Sequence, residues 1–174
     1  MQISGKHLMI IDTIMTSPDT FHSAKEKKYM QLCIETAKIF STCAKKQYAA
    51  VLIDDNNRIV SIGYNGGPSG LEHCNDGGCP RLRENSEAGS NYDNCIAIHA
   101  EQNALLHCDY SSNPKKMFIN GPPCFTCAKM IANSTIKEIY YLVNSEYKDW
   151  DNVYNFLQKC GVSLNGIEKW QLEN

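Results

Sequence analysis

Residues 116–143 read KMFINGPPCFTCAKMIANSTIKEIYYLV, and this stretch decides the fold. The aliphatic and aromatic segments 116–119 and 137–143 each predict a strand. Between them a helix is expected to begin at Pro123, where the N–H that proline lacks would have no partner anyway. A strand, a helix and a second strand in succession predict a layered α/β architecture.

The rest of the chain extends this pattern in both directions. Ser23 is placed to cap a helix whose apolar residues recur at helical spacing. Two aliphatic segments then flank turn-forming residues, which predicts a β-hairpin. The alternation of strands and helices after the hairpin predicts a layered α/β sandwich with a mixed sheet. The additional predicted elements are helices over 23–43, 99–108 and 151–160 and strands over 48–53, 58–64 and 162–167.

The composition narrows the class of protein. A length of 174 residues suits one domain, which we place at 23–174 after an N-terminal arm at 1–22. The formal net charge of −2, without a dense cluster of Lys and Arg, argues against a polynucleotide partner. No apolar run is long enough for a membrane span or a signal peptide, so we expect a cytoplasmic protein. Its nine cysteines would then be reduced or bound to metal.

Two short motifs carry the predicted chemistry. His99-Ala100-Glu101 opens one expected helix, and the sequence PCFTC at 123–127 opens the next. His99, Cys124 and Cys127 form a three-ligand zinc set whose fourth position stays open for water, as in catalytic sites. Zinc lowers the pKa of bound water toward about 7. Each motif alone is weak, but H-x-E followed by P-C-x-x-C is the signature of zinc nucleobase deaminases.

Glu101 is the predicted proton carrier of this site. In zinc deaminases hydroxide attacks C4 of cytosine, and a glutamate that is not a zinc ligand moves the protons. Glu101 would accept the proton, deliver it to N3 and help ammonia leave. A structural zinc would not need this carboxylate.

A second group of possible ligands lies in the long loop at 65–96 and, with Cys43, at the end of the first predicted helix. This loop has too few apolar residues to fold by packing alone, and loops of this length are uncommon unless functional or held in place. A structural zinc would order it. We favour Cys43, Cys74, Cys79 and Cys95 as its ligands, with His73 as a substitute for one of them; scattered buried thiols are the alternative.

At these residues the sequence resembles the deoxycytidylate deaminase family, over about 24–165. The zinc motifs mark the broader cytidine deaminase superfamily, and the Tyr-Asn-Gly piece is typical of the deoxycytidylate branch. The sequence departs from the family pattern at Tyr48-Ala49-Ala50 and at 120–123, which should border the substrate. The similar pieces are 41–43, 63–70, 99–104 and 123–129.

The resemblance implies a three-layer α-β-α sandwich around a five-stranded sheet and hydrolysis of dCMP to dUMP and ammonia, which supplies thymidylate synthesis. It implies that Asn65 contacts the sugar and that Ala100 also contacts the substrate. It further implies an oligomer, often a hexamer, activated by dCTP and inhibited by dTTP with Mg²⁺ accompanying the triphosphate. The implied effector residues are Tyr64, Asn65, Gly66, Gly67 and Gly70.

Other functions remain open at the level of sequence. The zinc motif also fits a deaminase of another cytosine compound, of guanine or of a pterin-like ring. A non-catalytic zinc protein that binds nucleotides is a third alternative, and the presence of Glu101 argues against it. A polynucleotide deaminase is disfavoured by the net charge of −2.

Overall fold

The computed structural model describes residues 22–87, 90, 92–144 and 147–173. The predicted arm at 1–22 therefore lies outside the described residues except for His22. The helices are α1 (Ala24–Phe40), α2 (Pro80–Arg83), α3 (Ala100–Leu106), α4 (Phe125–Ala132) and α5 (Trp150–Lys159). The strands are β1 (Ala49–Ile53), β2 (Ile59–Tyr64), β3 (Lys116–Ile119), β4 (Glu138–Leu142) and β5 (Ser163–Ile167).

The five strands form one mixed sheet in the order β2-β1-β3-β4-β5. The hairpin pairs β1 with β2 antiparallel, and β1 also runs antiparallel to β3. In contrast, β3, β4 and β5 run parallel to one another, because helices connect them across the face of the sheet. The predicted mixed sheet is thereby confirmed.

Helices cover both faces of the sheet, which gives the three layers. On one face α1 packs on alternate strand residues such as Val51 and Phe118, and the Phe118 ring stacks on Tyr140 at a centroid distance of 4.6 Å. On the other face α3, α4 and α5 bury a second apolar cluster that includes Leu52 and Ile131. Strand β1 is buried along its whole length because it is covered on both faces.

The first helix begins where the sequence predicts. Ser23 accepts a hydrogen bond from the N–H of Glu26 at 3.2 Å, and Glu26 accepts one from the N–H of Ser23 at 2.8 Å. This capping box satisfies two N–H groups that have no partner within the helix. The helix ends at Phe40, three residues before the predicted end.

Two predictions of local structure need correction. The helix of the PCFTC motif begins at Phe125 rather than at Pro123, because Cys124 takes the capping position. The long loop contains α2 and 3-10 turns at Cys74–Asp76 and Tyr92–Asn94, so it is not irregular throughout. A cation–π contact helps to order the loop: Cζ of the buried Arg81 lies 4.5 Å from the centroid of the Tyr92 ring.

No helix among the described residues is both long and apolar enough to cross a membrane.

Candidate active site

Helix α3 carries Glu101, has His99 as its N-cap and lies against β2. Residue 63 has to be glycine here, since a Cβ would lie 2.2 Å from the carbonyl oxygen of Ala100 and 2.3 Å from the amide nitrogen of Ala104. Two hydrogen bonds hold the helix in place. Ser61 Oγ donates to the Ala104 carbonyl at 2.8 Å, and Asn103 Nδ2 donates to the Tyr64 carbonyl at 2.8 Å.

Helix α4 brings the two cysteines. Cys124 is its N-cap, and its sulfur accepts a hydrogen bond from the N–H of Cys127 at 3.5 Å. A helix N-terminus favours a thiolate because free N–H groups and the positive end of the helix dipole face it. Hydrogen bonds from the Cys127 thiol first and then from His99 hold the pKa of Cys124 well below its usual range.

The structure brings His99, Cys124 and Cys127 together. Their ligand atoms all lie within 4.8 Å of one another, and no other His, Cys, Asp or Glu group in the described part of the chain does so. Each cysteine sulfur lies 3.4 Å from Nδ1 of His99. A tetrahedral zinc with Zn–S near 2.3 Å and Zn–N near 2.0 Å requires about 3.5 Å between these atoms. The three residues therefore fit zinc through one nitrogen and two sulfurs.

Glu101 lies beside this trio and is 5% exposed. Burial raises the pKa of its carboxyl above the usual range, while the charge of His99 and a hydrogen bond with Cys127 act in the opposite direction. A raised pKa makes a carboxyl hold a proton more readily, which suits a group that has to accept and release one. The hydrogen bond between the Glu101 and Cys127 side chains places the carboxyl beside the predicted metal site.

Tyr147 is a neighbour of the site that sequence reasoning missed. Burial raises the pKa of its hydroxyl, and the charges of Cys124, Asp149 and Glu101 contribute. Tyr147 follows β4 and packs against the apolar cluster that contains Ala100. No motif surrounds it, so the sequence alone gives no signal for it.

Asn65 and Ala100, the predicted substrate contacts, are both buried. The Asn65 Oδ1 accepts hydrogen bonds from Ser41 Oγ at 2.6 Å and from the N–H of Tyr48 at 2.8 Å. Its Nδ2 donates to the Lys46 carbonyl at 2.8 Å. The side chain of Asn65 thus holds the segment between α1 and β1, and Nδ2 donates this one hydrogen bond within the described residues.

The predicted effector turn connects directly with the metal ligands. Gly66 and Ile98 form an isolated β-bridge, with N–H to carbonyl distances of 3.2 and 2.8 Å. Ile98 immediately precedes His99. Of the other predicted effector residues, Gly67 is half-buried and Gly70 is exposed with a φ of +91°, whereas Tyr64 stacks on Phe40.

The predicted ligands of the second zinc are less closely clustered than His99, Cys124 and Cys127. The thiols of Cys74 and Cys79 are hydrogen-bonded, and burial, this bond and the charges of Cys79, Cys43 and Cys95 raise the pKa of Cys74 to about 11. In the described part of the chain, these cysteines and His73 do not form a group with all ligand atoms within 4.8 Å. His73 Nδ1 is nevertheless buried without a hydrogen-bond partner.

Together the mixed sheet and the His99, Cys124 and Cys127 set define an α/β protein with three clustered side chains that fit a zinc ion. A family model agrees: the cytidine and deoxycytidylate deaminase zinc-binding region matches residues 23–143. The chain belongs to this family.

Two of the similar proteins are named deoxycytidylate deaminase. The chain is 34% identical over 152 residues to the deoxycytidylate deaminase of Schizosaccharomyces pombe, covering 86% of this chain but 46% of that protein. It is 36% identical over 107 residues to the deoxycytidylate deaminase of Mycobacterium phage D29, covering 58% of this chain and 81% of the phage protein. The chain therefore spans less than half of the yeast protein.

A solved structure is similar over most of the fold. The dCMP deaminase of cyanophage S-TIM5, determined in complex with dCMP and dUMP, superposes with a TM-score of 0.63 at 27% identity. The match covers 84% of this chain and 99% of the phage chain. The predicted cytidine deaminase-like fold is thus confirmed.

Proposed function

We propose that this protein hydrolyses dCMP to dUMP and ammonia. The observation that carries the proposal is the buried Glu101 carboxyl next to three ligand atoms that lie within 4.8 Å of one another. The phage structure with dCMP and dUMP supports this choice of substrate among cytosine compounds. The product dUMP would supply thymidylate synthesis.

His99, Cys124 and Cys127 would hold the zinc, which when bound supplies a water of lowered pKa beside Glu101. Glu101 accepts a proton from the attacking water and delivers it to N3 of the cytosine ring. It then passes a second proton from the added hydroxyl to the exocyclic amine, which leaves as ammonia. One water molecule is consumed and C4 of the ring gains a carbonyl oxygen. Because Glu101 releases each proton that it accepts, its carboxyl ends in the protonation state in which it began.

The substrate assignment is tested by turnover of a panel by the zinc-loaded chain. We expect dCMP to be preferred over CMP, deoxycytidine, dCTP and guanine in kcat/KM. Preference for another member of the panel would retain a deaminase but refute dCMP as its substrate. Asn65→Ala should raise the KM for dCMP, because it removes the amide proposed to contact the sugar and also the hydrogen bonds to Ser41 and Tyr48. Ala100 stays a proposed substrate contact, although the whole residue is buried in the structure without substrate.

We also propose a second, structural zinc held by Cys43, Cys74, Cys79 and Cys95, with His73 as the substitute for one of them. The proximity of Cys74 and Cys79 and the unpartnered buried nitrogen of His73 support it. Elemental analysis should find two zinc ions per chain, and Cys79→Ser should lose one. Cys160→Ser is the matched control, because Cys160 is exposed. One zinc in the unaltered chain would refute this site.

Regulation by dCTP and dTTP, each with Mg²⁺, is proposed at Tyr64, Asn65, Gly66, Gly67 and Gly70. The support is the Gly66–Ile98 bridge, because a change in the turn would be passed to His99 one residue later. Coupling between two sites is typically about 1–3 kcal/mol, or roughly 5- to 150-fold in affinity.

Gly67→Val tests this site more cleanly than a substitution of Gly66 would. A Cβ at Gly66 would lie 2.2 Å from Thr42 Oγ1, whereas a Cβ at Gly67 has ordinary contact with Ile96 at 3.6 Å. Calorimetry should show dTTP binding that Gly67→Val weakens without loss of zinc. If neither triphosphate binds at millimolar concentration, the protein is unregulated.

The proposal includes a homo-oligomer, expected to be a hexamer, and a cytoplasmic location. All nine cysteines are free thiols, which fits a reducing compartment. Light scattering coupled to size exclusion would measure the mass, and a monomer would refute the assembly.

A further inference from the structure

Tyr48 and Gly121 face each other at the edge of the site where the sequence departs from the family pattern. Tyr48 immediately precedes β1, and Gly121 follows β3 by two residues. These strands are antiparallel neighbours with Ala50 opposite Ile119, so the register continues to Tyr48 and Gly121. A Cβ at Gly121 would lie 2.7 Å from Cε1 of Tyr48. The tyrosine ring therefore fills the space of a side chain at 121.

Two asparagines fix the backbone on both sides of the ring. The N–H of Tyr48 donates to Asn65 Oδ1 at 2.8 Å, and the Tyr48 carbonyl accepts from the N–H of Asn65 at 3.0 Å. Asn120 accepts from the N–H of Ala49 at 2.8 Å and donates to the Gln47 carbonyl at 3.0 Å. With the Tyr48 ring in this position, a Cβ at 121 would force the ring to shift.

The pair lies beside the catalytic residues. Gly121 is three residues before Cys124, and the two prolines between them restrict the backbone. Tyr48 is half-buried and packs against the apolar cluster that contains Ala100. Burial raises the pKa of its hydroxyl, and the charge of Glu101 contributes, which agrees with a ring directed toward the site.

We propose that Tyr48 is a specificity-determining residue: its ring, seated in the space that Gly121 leaves empty, forms the wall of the cleft against which the planar base of the substrate packs. This inference rests on the proposed deaminase function. An aromatic ring suits the role because every nucleobase has a π-face to pack on it. Asn65 and Asn120 act as positioning residues, since they hold the backbone that aims the ring.

The test is the steady-state kinetics of dCMP deamination by the zinc-loaded full chain. Tyr48→Val should raise KM roughly 5- to 150-fold, the range for loss of one base–aromatic contact, with a much smaller change in kcat. Tyr48→Phe retains the ring and should keep the KM of the unaltered chain. A KM that Tyr48→Val leaves unchanged would overturn the proposal.

The pairing of the two residues is tested by a double-mutant cycle in thermal unfolding. Gly121→Ala should lower Tm with Tyr48 present and much less in the Tyr48→Val background. Equal losses in both backgrounds would overturn the pairing.

If the unaltered chain does not turn over dCMP but deaminates another panel substrate, the assignment of dCMP fails. The KM comparison with that substrate then decides the role of Tyr48 separately.

Discussion

Gly63→Ala tests how the fold positions the chemistry. The added methyl would lie 2.2 Å from the Ala100 carbonyl oxygen and 2.3 Å from the Ala104 nitrogen, and both atoms belong to the backbone of α3. Neither atom moves by a side-chain rotation, so α3 and β2 have to separate by about 1 Å to restore ordinary contact. Overpacking of this kind costs about 1–3 kcal/mol. For a chain of this size the expected loss is roughly 2–12 °C in Tm.

The same displacement should reduce turnover. Helix α3 carries Glu101 and follows His99, while Cys124 and Cys127 belong to another helix. Separating the two helix starts by about 1 Å is expected to lower kcat roughly 100-fold. Scanning calorimetry and initial rates of dCMP deamination measure the two effects. The matched control is Ile62→Val, on the opposite and more exposed face of β2, which should leave both nearly unchanged. Unaltered Tm and kcat in Gly63→Ala would refute this account of the helix position.

The remaining predictions concern stability. Ser23→Ala should cost about 1 kcal/mol in unfolding experiments, because it removes the cap of α1. Burial raises the pKa of Glu26, but hydrogen bonds from Ser23 and Tyr140 outweigh it and the net pKa is lowered. Its charge therefore stabilises the fold above the ordinary glutamate pKa of about 4.3, and the Tm deficit of Glu26→Gln at pH 7 should shrink as the pH falls below that value. A constant deficit would contradict this. Arg81→Ala should destabilise the chain more than Arg83→Ala, because Arg81 is buried over Tyr92 whereas the ion pair of Arg83 with Glu72 is exposed. Equal losses in urea unfolding would show that the Tyr92 contact contributes little.

The sequence predicts the strands and long helices well because their signals are local. Helical spacing and Ser23 identify α1, and β-branched runs identify the sheet. It misplaces the start of α4, since Pro123 and Cys124 are both acceptable near a helix start and the Cys124 sulfur decides between them. The short helix α2 has little signal of its own, and Arg81 is held by a tertiary contact with Tyr92.

The sequence likewise predicts some features of the candidate site and not others. The two motifs select His99, Glu101, Cys124 and Cys127. The structure brings the ligand atoms of His99, Cys124 and Cys127 within 4.8 Å of one another, and the Glu101 side chain is hydrogen-bonded to Cys127. By contrast, the sequence does not show that Asn65 is engaged by Tyr48 and Ser41, because these bonds join segments brought together by the hairpin. Nor does it show that a tyrosine at 48 and a glycine at 121 occupy one space. Such pairings depend on strand register rather than on residue type.

Glu101 is proposed to move protons at a zinc site that deaminates dCMP. The most direct measurement is dUMP formation from dCMP by the zinc-loaded chain and by Glu101→Gln, with zinc content determined in the same samples. We expect the unaltered chain to form dUMP and the variant to retain zinc while losing turnover by several orders of magnitude. Near-normal turnover by Glu101→Gln, or no dUMP from the zinc-loaded unaltered chain, would contradict the account.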